Sequence, residues 1–114
     1  MSHTEAMRGA VRTVPMKQEV LDALRRQGEA ISALGVKRVG LFGSVVRGDQ
    51  NEGSDVDLLV EFKPGRKTFD SFTQLAFLLE EALGGPVDLV TIESLSPYIG
   101  PYILEEVEYV NLAA

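Results

Sequence analysis

At 114 residues, 45% of them hydrophobic, the chain has the size and composition of one globular domain able to bury a real core. No apolar run approaches the ~20 residues needed to span a bilayer, and the first residues lack the apolar centre of a secretion signal. The absence of cysteine excludes disulfides, thiolate metal sites and cysteine catalysis.

A cytoplasmic location is the default expectation, with no membrane contact. The net charge of −6 is spread unevenly, +3 over residues 1–50 and −9 over residues 51–114. An acidic domain repels a phosphate backbone at long range, so general nucleic-acid binding is not expected. Arg25, Arg26, Lys37 and Arg38 are read as solvated surface rather than as a basic patch.

Residues 1–15 show no sustained periodicity and end in proline. They are read as a flexible leader, with residues 16–114 as the single domain and Met16 as a second candidate start. Val20, Leu21, Leu24, Ile31 and Leu34 recur at helical spacing and predict one helix from Met16 to about Leu34, closed by Gly35. Val36 to Phe42 is short, β-branched and apolar, a first strand. Gly43-Ser44 turns out of it into a short helical segment through Arg47, ended by Gly48, and a polar loop follows over residues 49–54.

Val56 to Phe62 reads as a second strand. Phe69, Phe72, Leu75, Ala76, Leu79 and Leu83 predict one face of a helix of about sixteen residues. Gly84-Gly85-Pro86 stops it, and Val87 to Ile92 is a third strand. A turn opens at Ser94-Leu95-Ser96-Pro97, and a helix is expected from Pro101 through Glu106. The closing stretch Val107 to Asn111 reads equally as the end of that helix or as an edge strand. This alternation predicts an α/β (α+β) domain, a small mixed sheet of three or more strands covered by helices.

The chemistry concentrates in two motifs. Ten residues separate Ser44 from the Asp-x-Asp formed by Asp55 and Asp57. Alternate residues of a strand share a face, so the two carboxylates project the same way, roughly 7 Å apart at Cα. Carboxylates forced together repel unless a cation lies between them. Asp88, between Val87 and Leu89, repeats the anomaly in the third strand, and aspartate is poor strand chemistry. Desolvation favours a metal site over coincidence, and all-oxygen ligands suit Mg2+ or Mn2+. His3, in the leader, is given no role.

A strand that runs through glycine into a helix start presents free backbone N–H groups to a phosphate. Gly43 permits close approach, the Ser44 hydroxyl adds a donor, and Arg47 pairs with phosphate oxygens. Taken alone, Gly-Ser is more often a capped turn, and Asp55 a loop cap. Three aspartates beside a phosphate turn together fit two-metal phosphoryl or nucleotidyl transfer.

These residues carry a family resemblance. Gly43-Ser44, ten intervening residues, Asp55-Val56-Asp57 and the later Val87-Asp88-Leu89-Val90 resemble a minimal nucleotidyltransferase of the DNA polymerase beta superfamily. The likeness runs over about residues 16–110, including Leu41-Phe42, Ser96-Pro97 and Ile103-Leu104-Glu105-Glu106; Val46 stands where alanine is common. It implies the nucleotidyltransferase fold. It also implies that Asp55 and Asp57 bind both metals and that Asp88 binds the catalytic metal and helps activate the acceptor hydroxyl. Gly43 and Ser44, helped by Arg47, would hold the triphosphate.

The resemblance further implies ATP as donor, a helical HEPN-domain protein as partner, transfer of AMP to a tyrosine of that partner, and an antitoxin role. So short a chain leaves little room to recognise an acceptor, which points the same way. The alternatives are a non-catalytic module that neutralises its partner by occlusion, or transfer to a small molecule or nucleic acid.

Overall fold

The computed structural model describes residues 16–51 and 53–112; the leader expected over residues 1–15 lies outside them. Helix α1 (Lys17–Arg26) buries Val20, Leu21, Ala23 and Leu24, and carries Glu19 in its first turn and Arg25 and Arg26 in its last, as the helix dipole favours. The single helix expected through Leu34 is divided at Gln27 (φ −95°, ψ 11°), and the chain resumes as α2 (Gly28–Ala33). Gly28 is more than a weak point in a helix. A Cβ there would lie 2.5 Å from the backbone oxygen of Leu112, so the residue permits a close backbone approach.

Strand β1 (Val36–Phe42) leads to the short helix α3 (Ser44–Arg47), then to β2 (Val56–Phe62). Helix α4 (Phe69–Leu83) opens on a capping box, in which the Thr68 hydroxyl accepts from the Ser71 N–H at 3.0 Å and the Thr68 N–H donates back to Ser71 Oγ at 2.9 Å. It buries Leu75, Leu79 and Leu83. Phe72 and Ala76 are half-buried, while Phe69, expected on the same face, is 85% exposed. Phe69 is the first residue of the helix, about one turn before Phe72, which packs against the core, and ahead of Leu75, the first buried position.

Strand β3 (Val87–Thr91) ends one residue earlier than the apolar run, because Ile92 begins a 3-10 turn (Ile92–Ser94). Helix α5 (Gly100–Glu106) follows, and the undecided closing stretch forms a strand, β4 (Glu108–Val110).

The four strands form one mixed sheet in the order β3-β2-β1-β4. β1 pairs antiparallel with both β2 and β4, while β2 and β3, linked through α4, run parallel. Period-two alternation then separates two faces. Val56, Leu58, Val60 and Phe62 of β2 join Val39 and Leu41 of β1 in a core with the buried residues of α1, α2 and α4. Full burial of a side chain such as Leu58, Leu75 or Leu79 contributes about 1.5–3 kcal/mol.

The opposite face carries Asp57, Leu59 and Glu61 of β2, beside Phe42, Gly40 and Arg38 of β1 and Asp88 and Val90 of β3. That face is covered in part. Leu59 is fully buried, the turn at Ile92–Ser94 lies against β2, and the Val107 side chain sits so close to Gly40 that a Cβ there would meet it at 2.5 Å. Beyond this cover, at one end of the face, lie the acidic residues.

Candidate active site

The sheet register assembles the site. Phe42, the last residue of β1, pairs with Asp57, and Asp57 pairs with Asp88 across the parallel β2–β3 ladder. The two carboxylates are therefore neighbours on one face of the sheet, and Gly43 follows directly from Phe42 at the same end. Asp55 precedes β2 in an exposed position, two residues from Asp57. Asp57 is half-buried. Asp88 is exposed, because β3 is an edge strand and not the buried strand its apolar neighbours suggest.

Gly43 fits its position in two ways. Its φ of 84° and ψ of −153° lie in a region open essentially to glycine alone. A Cβ added there would collide with Asp57 Oδ2, with the Asp57 Cγ only 3.0 Å away. The glycine turn is thus packed against the carboxylate itself. Arg47 reaches back from the end of α3, its Nη1 at 3.2 and 3.3 Å from the two carboxylate oxygens of Glu106 and its Nε at 3.4 Å from Asp49. Those two acidic groups raise the Arg47 guanidinium above its ordinary value, the Glu106 contact first. Ser44 is half-buried at the start of α3, and its backbone oxygen accepts from the N–H groups of Gly48 and Asp49.

Electrostatically the site is short of positive charge. Asp57 is pushed up to about 6, first by burial, then by the carboxylates of Asp88 and Asp55, with Glu106 adding to the rise and Arg47 opposing it. Carboxylate oxygens that penalise one another's ionisation are the donor set a hard divalent cation relieves. Among the described residues, no three acidic, histidine or cysteine side chains stand close enough to make a ready-formed metal cluster. The Asp57–Asp88 pair fits such an ion, and Asp55 is near enough to raise Asp57 electrostatically.

Sequence reasoning missed Glu106. Its Oε2 accepts the Gly43 N–H at 2.7 Å, and its carboxylate also takes the Arg47 contacts. Helical periodicity gives no reason to single out Glu106 over Glu105. The signal lies in the boundary between α5 and β4, since pairing of Glu108 with Leu41 brings Glu106 alongside the end of β1. A cavity of about 290 Å3 opens beside these groups, lined by Phe42, Gly43, Arg47, Ile99, Tyr102, Ile103 and Glu106.

The model of the nucleotidyltransferase domain matches residues 18–110. The chain belongs to this family. It is an enzyme of nucleotidyl transfer, and its relatives are named as protein adenylyltransferases. The protein adenylyltransferase MntA of Thermococcus cleftensis is 40% identical over 101 residues, covering 89% of this chain and 99% of that protein. A candidate protein adenylyltransferase of Methanocaldococcus jannaschii, MJ0435, is 46% identical over 72 residues, or 63% of this chain and 76% of the relative.

Among solved structures, a candidate minimal nucleotidyltransferase superposes with a TM-score of 0.64 at 40% identity, covering 77% of this chain and 93% of that one. A chain of a toxin–antitoxin complex crystallised with AMP-PNP superposes at 0.58 and 25% identity, covering 82% and 70%. The nucleotidyltransferase fold expected from the motifs is therefore the fold observed.

Proposed function

We propose that this nucleotidyltransferase transfers AMP from ATP to a hydroxyl of a partner protein, in a reaction that requires a divalent cation, Mg2+ or Mn2+, held by Asp55, Asp57 and Asp88. The observation that carries this reading is the meeting of the Gly43 turn with the Asp57–Asp88 pair at one end of the sheet. A phosphate seated on the turn would lie directly beside the carboxylates. Support for ATP and for a protein acceptor comes from relatives named as protein adenylyltransferases and from the AMP-PNP complex.

In this reading Gly43 and Ser44 receive the triphosphate and Arg47 pairs with its oxygens. The acceptor oxygen bonds to the α-phosphorus, the bond to the bridging β-phosphate oxygen breaks, and pyrophosphate leaves. Exposed Asp88 takes the hydroxyl proton, since an acceptor arriving from solvent meets the edge strand first. Asp55, Asp57 and Asp88 would hold the divalent cation, which would supply positive charge to offset the charge of the transferring phosphate. The partner implied by the resemblance is a HEPN-domain protein, and the likeness to a chain of a toxin–antitoxin complex supports an antitoxin role.

The test is incubation of purified protein with α-labelled ATP, magnesium and the toxin-like partner. Label on the partner, lost with Asp57→Asn, is expected. A chain that neutralises its partner yet never labels it acts by occlusion, and label on RNA or a small molecule makes the acceptor something else.

A further inference from the structure

Glu106 occupies the donors that the proposed reaction assigns to the nucleotide. Its Oε2 takes the Gly43 N–H at 2.7 Å, and Arg47 Nη1 lies within 3.2–3.3 Å of both carboxylate oxygens. The carboxylate is not a drifting surface group. Its side chain is 24% exposed, and its backbone is held between the last turn of α5, where the Val107 N–H donates to Ile103 at 3.0 Å, and the pairing of Glu108 with Leu41.

A backbone N–H makes one good hydrogen bond at a time, so a phosphate oxygen on Gly43 requires that Oε2 withdraw. The same carboxylate also shares the site with Asp55, Asp57 and Asp88, and like charge there opposes an incoming triphosphate. A free carboxylate is, however, the side chain best matched to donors built for phosphate. While it is in place, it satisfies the Gly43 N–H and keeps Arg47 folded over the turn.

We propose that Glu106 holds the phosphate seat of the nucleotide-free protein and yields it to the triphosphate, so that this side chain sets the affinity for the donor. The inference rests on the reading of Gly43 and Arg47 as donor-binding groups. It makes Glu106 a positioning residue whose contacts compete with the nucleotide, rather than a group that touches the reacting atoms.

The experiment is calorimetric titration with α,β-methylene-ATP, whose α–β bridge nucleotidyl transfer cannot break, in magnesium and without acceptor. Glu106→Gln keeps the size of the side chain and an oxygen for the Gly43 N–H but removes the charge. It is expected to bind about two- to fivefold more tightly than the parent, the range for losing a partly exposed charged contact. Inorganic pyrophosphate should gain by a similar factor, because the competition is for phosphate. Glu106→Ala serves as the second variant, with melting curves to show that both fold.

Unchanged or weaker nucleotide binding in both folded variants overturns the inference, leaving Glu106 as a support for Arg47 alone. Tightening confined to the nucleotide, with none for pyrophosphate, overturns it as well. If neither parent nor variants bind the nucleotide, the donor-site reading itself fails and takes this inference with it. Binding by the variants alone would support the inference in its strongest form.

Discussion

Gly43→Ala is the substitution that the geometry constrains most tightly. The residue sits at φ 84° and ψ −153°, and holding a side chain in such a region costs about 1–3 kcal/mol. Reduced freedom of the unfolded chain offsets about 0.4–1 kcal/mol of that. The new methyl group also collides with Asp57 Oδ2 and lies 3.1 Å from the Asp57 Cβ, so the carboxylate must leave its rotamer, at about 0.5–1.5 kcal/mol.

The net loss is about 1–4 kcal/mol, a fall in Tm of roughly 5–20 °C for a domain of this size. Activity should fall further than stability if Asp57 serves the proposed reaction, because displacing a reacting-site carboxylate by about 1 Å costs on the order of 100-fold. Gly48→Ala supplies the control. Gly48 also has positive φ, at 82°, but a Cβ there meets nothing within 4 Å. It should lose about 1 kcal/mol and keep full transfer. Melting curves and label transfer on both variants make the comparison. A folded Gly43→Ala protein with the activity of Gly48→Ala would show that the turn and Asp57 are not one site.

Three further outcomes are expected. Asp57 rises in the folded protein from 3.8 to about 6, so the folded state holds its proton more tightly, and the associated stability, full below about 4, is lost as pH climbs through 6. The unscreened shift is worth about 3 kcal/mol, reduced to about 1 kcal/mol by the solvent around a half-buried group. It is read in EDTA as the difference between parent and Asp57→Asn, because Asp22 and Glu61 are lowered and act in the opposite sense; a difference that shrinks with rising pH refutes it. Asp88→Asn should lose at least about 100-fold in transfer, keep its fold and melt slightly higher in EDTA, since one of the charges raising Asp57 is gone; a lower melting temperature would mark Asp88 as structural. Gly28→Ala should cost about 1–3 kcal/mol through the backbone of Leu112 and leave nucleotide binding unchanged, a melting and titration pair that separates packing from the site.

Much of this arrangement was legible in the chain, for reasons that differ by residue. The strands at Val36, Val56 and Val87 announce themselves by β-branched runs between glycine and proline stops, and the helix from Phe69 to Leu83 by its period. Gly43-Ser44 and Asp55-x-Asp57 stand out because those residue types are wrong for the apolar runs they interrupt. What the sequence concealed depends on pairing between distant segments. Nothing local says that β3 is an edge and leaves Asp88 exposed, or that a fourth strand closes on β1. Glu106 is hidden for the same reason, since its role follows from the register of Glu108 with Leu41. Gly28 reads as a poor helix residue until Leu112 is seen against it.

The sheet order explains why the three aspartates need not be equivalent. Asp57 is in a central strand, paired on one side with Phe42 and on the other with Asp88, so its backbone is fixed from both directions. Desolvation therefore falls on it first, and it carries the large rise toward 6. Asp88 lies on the outer strand and Asp55 just before the ladder begins, and both are exposed. For the proposed reaction, a desolvated carboxylate in a central strand flanked by two exposed ones would combine precise placement with open access for a cation and an acceptor. The Gly43 turn packs against Asp57, the carboxylate in the central strand. A phosphate seated on the turn would thus lie beside the carboxylate whose backbone is paired on both sides, with the edge strand open to the acceptor.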